Sequence, residues 1–154
     1  MNRRIELRRH DKPSRRLFVV DIENAVDTGA IDADACKLVK SRVERIYKPT
    51  TNDLTVIGVS HSNNVFPAHS WDGARVVLKH GHDGADLALE RVLAKENVEA
   101  RFDEVVIVSG DGMFANQAAR LRSLGVRVTV DARARQLSRV LALAARRSAW
   151  RQPS

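Results

Sequence analysis

Apolar residues in this chain follow two alternating rhythms. Short apolar runs occur at residues 17–22 (LFVVDI), 54–60 (LTVIGVS), 74–79 (ARVVLK), 104–109 (EVVIVS) and 126–130 (VRVTV), the pattern of buried strands. Between them the spacing switches to that of helices. Residues 32–47 place Ala35, Val39, Val43 and Ile46 on one face with Leu38 beside them, and Pro49 stops the run. Residues 85–96 align Ala85, Leu89, Val92 and Leu93, with Asp83 as the expected N-cap. Residues 112–124 turn Phe114, Ala118 and Leu121 inward, and Gly125 takes the position after a helix that favours glycine. A last helix is expected over 134–147. Residues 61–73 read as a loop or short helix, and 81–84 as a turn. Strands alternating with helices predict a Rossmann-like three-layer α/β/α domain. Its five-stranded sheet is mostly parallel, with right-handed crossovers. The domain spans 17–148, between a basic N-terminal arm (1–16) and a short tail (149–154).

Acids follow three of these strands at once. They are Asp21 in Val20-Asp21-Ile22-Glu23-Asn24, Asp83 and Asp86 in His82-Asp83-Gly84-Ala85-Asp86, and Asp111 in Ser109-Gly110-Asp111-Gly112. Residues just past the carboxyl ends of parallel strands share one edge of the sheet. Asp21, Asp86 and Asp111 are therefore expected to converge, although far apart in sequence. Taken singly, Asp83, Asp86 and Asp111 also suit helix caps and first turns. Asp21 lies in a strand-like run, so capping does not explain it. Three uncompensated carboxylates repel one another, and Mg²⁺ or Mn²⁺, hard cations that take oxygen ligands, would relieve the repulsion. Asn24 could orient a ligand or a water. Glu23, Asp83 and His82 are auxiliary candidates.

The 154 residues carry a net charge of +7, and its distribution matters more than its size. Residues 1–16 sum to +5, residues 17–119 to −6 and residues 120–154 to +8. Basic ends suit a polyanion, whose counterions arginines displace. An acidic centre asks for a separate reason, such as bound cations. On the last expected helix Arg135, Arg139 and Arg146 form one stripe, opposite Leu137, Val140, Leu141 and Ala144. Aromatic residues are only 5%. Tyr47, Phe66, Trp71 and Trp150 are the candidates for base stacking, too few for an extended platform. Phe66 and Trp71 lie in the loop expected to overhang the carboxylate edge.

Several chemistries are disfavoured. Cys36 is the one cysteine, so an internal disulfide is excluded and a cysteine zinc site is set aside. His80 and His82 lack a third nearby nitrogen or sulfur ligand. No nucleophile elbow, Walker A lysine or dinucleotide fingerprint is present. No apolar run is long enough to span a bilayer and no secretory signal is seen, so a cytoplasmic location is expected.

At its strand-end acids the chain resembles the NYN family, a branch of the PIN-like nucleases. The matching segments are Phe18-Val19-Val20-Asp21-Ile22-Glu23-Asn24, Asp83-Gly84-Ala85-Asp86-Leu87-Ala88-Leu89 and Val106-Ile107-Val108-Ser109-Gly110-Asp111-Gly112-Met113-Phe114. The resemblance covers residues 17–145. It implies a strand order of 3-2-1-4-5, hydrolysis of RNA aided by Mg²⁺ or Mn²⁺, and functional roles for Asp21, Asn24, Asp86 and Asp111. The family often places a second acid two residues after the third motif aspartate, where this chain has Met113. The expectation is a metal-dependent endoribonuclease acting on structured or single-stranded RNA, and the sequence is compatible with a homo-oligomer. Two alternatives stay open: an RNA-binding regulatory module with a degenerate site, and a small-molecule phosphatase.

Overall fold

The apolar runs become a five-stranded sheet of order β3-β2-β1-β4-β5, every pair parallel. The computed structural model describes residues 14–26 and 31–145. The strands are β1 (Arg16–Asp21), β2 (Leu54–Val59), β3 (Arg75–Leu78), β4 (Glu104–Val108) and β5 (Arg127–Val130). The helices are α1 (Ile22–Ala25), α2 (Ala33–Tyr47), α3 (Val65–Ala68), α4 (Gly84–Lys95), α5 (Val98–Arg101), α6 (Ala115–Ser123) and α7 (Arg139–Ala145). Short 3-10 turns at Ser62–Asn64 and Gly112–Phe114 lead into α3 and α6.

The inner strands β1 and β4 read as unbroken apolar runs because both faces are covered. Leu17 and Val19 of β1 join Val105 and Ile107 of β4 on one face, under Leu89, Val92 and Leu93 of α4, Leu121 of α6 and Leu141 of α7. Phe18, Val20, Val106 and Val108 face the other way, under Ile22, Cys36, Val39, Val43 and Trp71. Side chains alternate along a strand, so Asp21 points to the same side as Leu17 and Val19, towards α4. Gly58 on β2 lets α4 come close. A Cβ there would lie 2.5 Å from Leu89 Cγ and 2.8 Å from the Ala85 carbonyl.

The expected elements form, with five differences. Ile22, expected to end the first strand, opens the unanticipated α1, and Asp21 caps that helix although its strand-like run gave no sign of capping. Helix α2 buries Cys36 where the periodicity favoured Ile46, which is 39% exposed, and Leu38 is 73% exposed. Asp83 precedes α4 but does not cap it, because its backbone is left-handed (φ 60°) and its side chain makes no capping bond. The unanticipated α5 turns the chain from α4 into β4. The last helix is shorter than expected within the described residues. It begins at Arg139, and residues 134–136 form a turn. Arg135 therefore lies in the loop after β5, and Arg139 opens α7 rather than continuing a stripe. Val140 is exposed as a consequence. Arg146, Trp150 and nearly all of the basic arm and tail lie outside the described residues. No helix among the described residues is long and apolar enough to cross a membrane.

The start of β1 is tied to the turn before β2. Asp53 accepts from the Arg16 amide at 2.8 Å, from the Arg16 guanidinium at 2.9 and 3.2 Å, and from the Thr50 amide at 2.9 Å. Burial alone would raise the Asp53 carboxyl. The Thr50 and Arg16 bonds outweigh it and hold it below its ordinary value. A depressed carboxyl stabilises the fold fully above its unfolded pKa, and the stabilisation is lost as pH falls through the folded one. Asp53→Asn should cost about 2 kcal/mol at neutral pH in urea unfolding. It should also remove part of the stability loss seen below about pH 4. A variant as stable as wild type at both pH values contradicts this.

Candidate metal centre

Three connections carry acids to the carboxyl edge of the sheet, and each is locally constrained. Asp21 ends β1, is 4% exposed, and accepts the Asn24 amide at 3.2 Å as the cap of α1. The link from β3 to α4 folds back so tightly that a Cβ on Gly84 would lie 1.8 Å from the Lys79 carbonyl oxygen. Only glycine fits there. Asp86, in the first turn of α4, is 6% exposed. Asp111 follows β4, where its amide donates to Ser109 Oγ at 3.1 Å and its Oδ1 accepts from the Met113 amide at 2.8 Å.

The loop after β5 closes on this last turn. The Ser138 amide donates to the Gly110 carbonyl at 2.8 Å. A Cβ on Gly110 would lie 2.3 Å from the Gln136 carbonyl oxygen, and one on Gly112 would lie 2.8 Å from Ser138 Oγ. The glycines around Asp111 are thus spaces for a neighbouring loop. That loop, with Gln136 and Ser138, had no mark in the sequence except the two glycines themselves.

The carboxylates meet. Oxygens of Asp83, Asp86 and Asp111 all lie within 4.8 Å of one another. Asp86 also contacts the Asp21 carboxyl, so it sits between Asp21 and Asp111. Burial is the largest influence on Asp86, followed by its contacts with Asp21 and Asp111, and together they push its carboxyl up to about 10. Burial likewise raises Asp21, although its contact with Asp86 works the other way. The buried Oδ1 of Asp86 has no hydrogen-bond partner. A buried, unpartnered carboxyl oxygen among other acids is costly, and a bound cation could offset that cost. An all-oxygen donor set suits Mg²⁺ or Mn²⁺ rather than a soft metal.

The remaining candidates are sorted by their partners. Asn24 Oδ1 accepts from the Gly110 amide at 3.3 Å, so its carbonyl ties the β1 exit to the β4 exit. Glu23 is held by the Ser60 amide at 3.1 Å, Ser60 Oγ at 2.6 Å and Asn64 Nδ2 at 2.6 Å. Its carboxylate is committed to the β2–β3 loop. His82 is almost fully exposed beside Asp83 at 3.5 Å. Asp83 is the acid whose part sequence reasoning understated. Its left-handed backbone, uncommon for a residue other than glycine, accompanies a carboxylate placed in the cluster rather than on the helix cap. Asp131, buried at the end of β5, was not anticipated at all. It accepts from Arg42 and, at 2.8 Å, from the Tyr47 hydroxyl, which fastens α2 to the outer strand.

This is a parallel α/β fold with an acidic edge at the carboxyl ends of its strands. The sequence model of the NYN domain family matches residues 19–149, and the chain belongs to that family. Among solved structures, a Vibrio parahaemolyticus protein of unknown function is similar with a TM-score of 0.63 at 21% identity, over 91% of this chain and 94% of that one. A provisionally named Mar1 ribonuclease from Leishmania major is similar with a TM-score of 0.46 at 12% identity, over 89% of this chain and 73% of that one. No curated protein sequence matches the chain.

A cation at this edge would stabilise the folded state by mass action, by about 2.7 kcal/mol at a hundred times its dissociation constant. Thermal melts with and without Mn²⁺ should show that stabilisation in the wild type. Asp86→Asn should melt no lower than wild type in EDTA and lose most of the Mn²⁺ effect. An equal Mn²⁺ shift in both proteins contradicts the assignment.

Proposed function

We propose that this protein is a metal-dependent ribonuclease that hydrolyses phosphodiesters within RNA. The observation that carries the reading is the buried Oδ1 of Asp86, without a hydrogen-bond partner on a side chain that also contacts Asp21 and Asp111. Asp21, Asp86 and Asp111 would hold Mg²⁺ or Mn²⁺, with Asp83 beside them. The cation would supply a water of lowered pKa and neutralise charge gathering on the phosphate. The chain's own groups do the positioning. Ser109 Oγ holds the Asp111 backbone amide, the Met113 amide holds the Asp111 carboxylate, and the Asn24 side-chain carbonyl ties the β4 exit to the β1 exit. Asp83 offers the additional acid that the family's pattern would put at Met113, from a different connection.

Asp21→Asn and Asp111→Asn should each lower metal-dependent cleavage of end-labelled RNA by about 10³-fold. Their circular dichroism and melting in EDTA should stay close to wild type. Full activity in both variants would overturn the reading.

A second reading, RNA binding without cleavage, draws on Met113 and on the basic loop at the same edge. Arg133 and Arg135 belong to the loop that closes on Gly110, and Arg139 follows it. Either reading has these arginines follow phosphates. Replacing Arg135 and Arg139 with alanine should flatten the dependence of log affinity on log salt by about 1–2. An unchanged slope would remove them from the interface.

A further inference from the structure

Most aromatic side chains among the described residues are used in packing. Phe18, Phe102, Phe114 and Trp71 are buried, and Tyr47 stacks edge-on against Phe18 while bonding Asp131. Phe66 is different, with 88% of its surface exposed. It is not on a loose loop tip. It lies on α3, whose neighbours on both sides are anchored. On the N-terminal side Asn64 Nδ2 donates to Glu23 at 2.6 Å, and Ser60 holds the same carboxylate through its amide and hydroxyl. On the C-terminal side Ala68 and Trp71 are buried in the core, and Ser70 Oγ donates to the Pro67 carbonyl at 2.6 Å.

The anchor places the ring relative to the carboxylates. Glu23 is two residues beyond Asp21, and Phe66 is two residues beyond Asn64. Through the Glu23–Asn64 bond the path between the Cα atoms of Asp21 and Phe66 spans about 25 Å at most, from the reach of a peptide chain. Glu23 thus has a use that its sequence position suggested only vaguely. It locks the β2–β3 loop to the short helix that follows Asp21. A large aromatic held rigid and exposed at a functional edge is a stacking surface, since every base offers a π-face.

We propose that Phe66 is a substrate-positioning residue that stacks a base of single-stranded RNA a few nucleotides from the carboxylate cluster. The inference rests on the ribonuclease reading for its substrate, but the stacking itself needs no cleavage. Glu23 and Asn64 hold the platform in place. The consequence is a preference for unpaired RNA at one fixed position along the strand, because a base already in a duplex cannot splay onto the ring.

The test is binding of a short, fluorescently labelled single-stranded RNA to the full chain in EDTA, read by anisotropy. Phe66→Ala should weaken binding about tenfold, within the range for one stacked base. Phe66→Trp should retain it. Removing single bases in turn should reveal one abasic position that weakens wild-type binding by a similar factor and leaves Phe66→Ala unaffected. Such a pattern in a chain that cleaves nothing with Mn²⁺ would uphold the stacking role and overturn the nuclease reading. Equal affinity of wild type and Phe66→Ala for the intact RNA would overturn the stacking role, whether or not cleavage is seen. So would a change of oligomeric mass in both Phe66→Ala and Leu38→Ala with RNA affinity unaltered, which would assign the exposed ring to a protein contact.

Discussion

Carboxylates confined to one buried edge repel one another, and this sheet is arranged so that they must share it. Parallel pairing brings the exits of β1 and β4 side by side. The crossover from β3 returns α4 across β2 to the same place, because Gly58 leaves no side chain to hold it off. Alternation along β1 turns Asp21 to the α4 side. Asp86 then lies between Asp21 and Asp111, with one oxygen unpartnered and its carboxyl driven up to about 10, burial being the leading cause. The apolar core and the acidic edge are two consequences of one topology.

The glycines around the acids follow from the same constraint. Gly84 gives way to the Lys79 carbonyl, Gly110 to Gln136, and Gly112 to Ser138. Gly84 and Gly110 let a backbone, and Gly112 a serine side chain, press against a turn that bears an acid. These contacts fix the carboxylates from behind, which is the rigidity a pre-organised site requires. They also bring the arginine-bearing loop after β5 against the Asp111 turn. Opposite charges thus gather at one end of the molecule, acids at the centre and basic groups beside them, an arrangement suited to a polyanion carrying a cation.

Much of this was legible in the sequence. Both-face burial makes β1 and β4 uninterrupted apolar runs, and acids placed directly after them mark the edge. The convergence of Asp21, Asp86 and Asp111 followed from topology alone. What sequence could not give was the partner of each polar side chain. Glu23 looked like a spare ligand, yet its carboxylate is taken up by Ser60 and Asn64. Asp83 looked like a cap, yet a left-handed backbone turns it into the cluster. Such outcomes depend on contacts across dozens of residues. Among the described residues Arg135 falls outside the last helix, and so off the expected stripe, for a local reason. Periodicity carried the last helix back to residue 134, but the chain from Asp131 to Ser138 is committed to closing over Gly110, and the helix starts only afterwards.

The most direct test of the central claim is anomalous scattering from crystals grown with Mn²⁺. The account predicts a peak bound by Asp21, Asp86 and Asp111, with the Asp86 oxygen that now lacks a partner among the ligands. Absence of a peak there at saturating Mn²⁺, with the carboxylates still in mutual contact, would contradict it. The acids would then be held together by shared protons alone, and the edge would have no cation to work with.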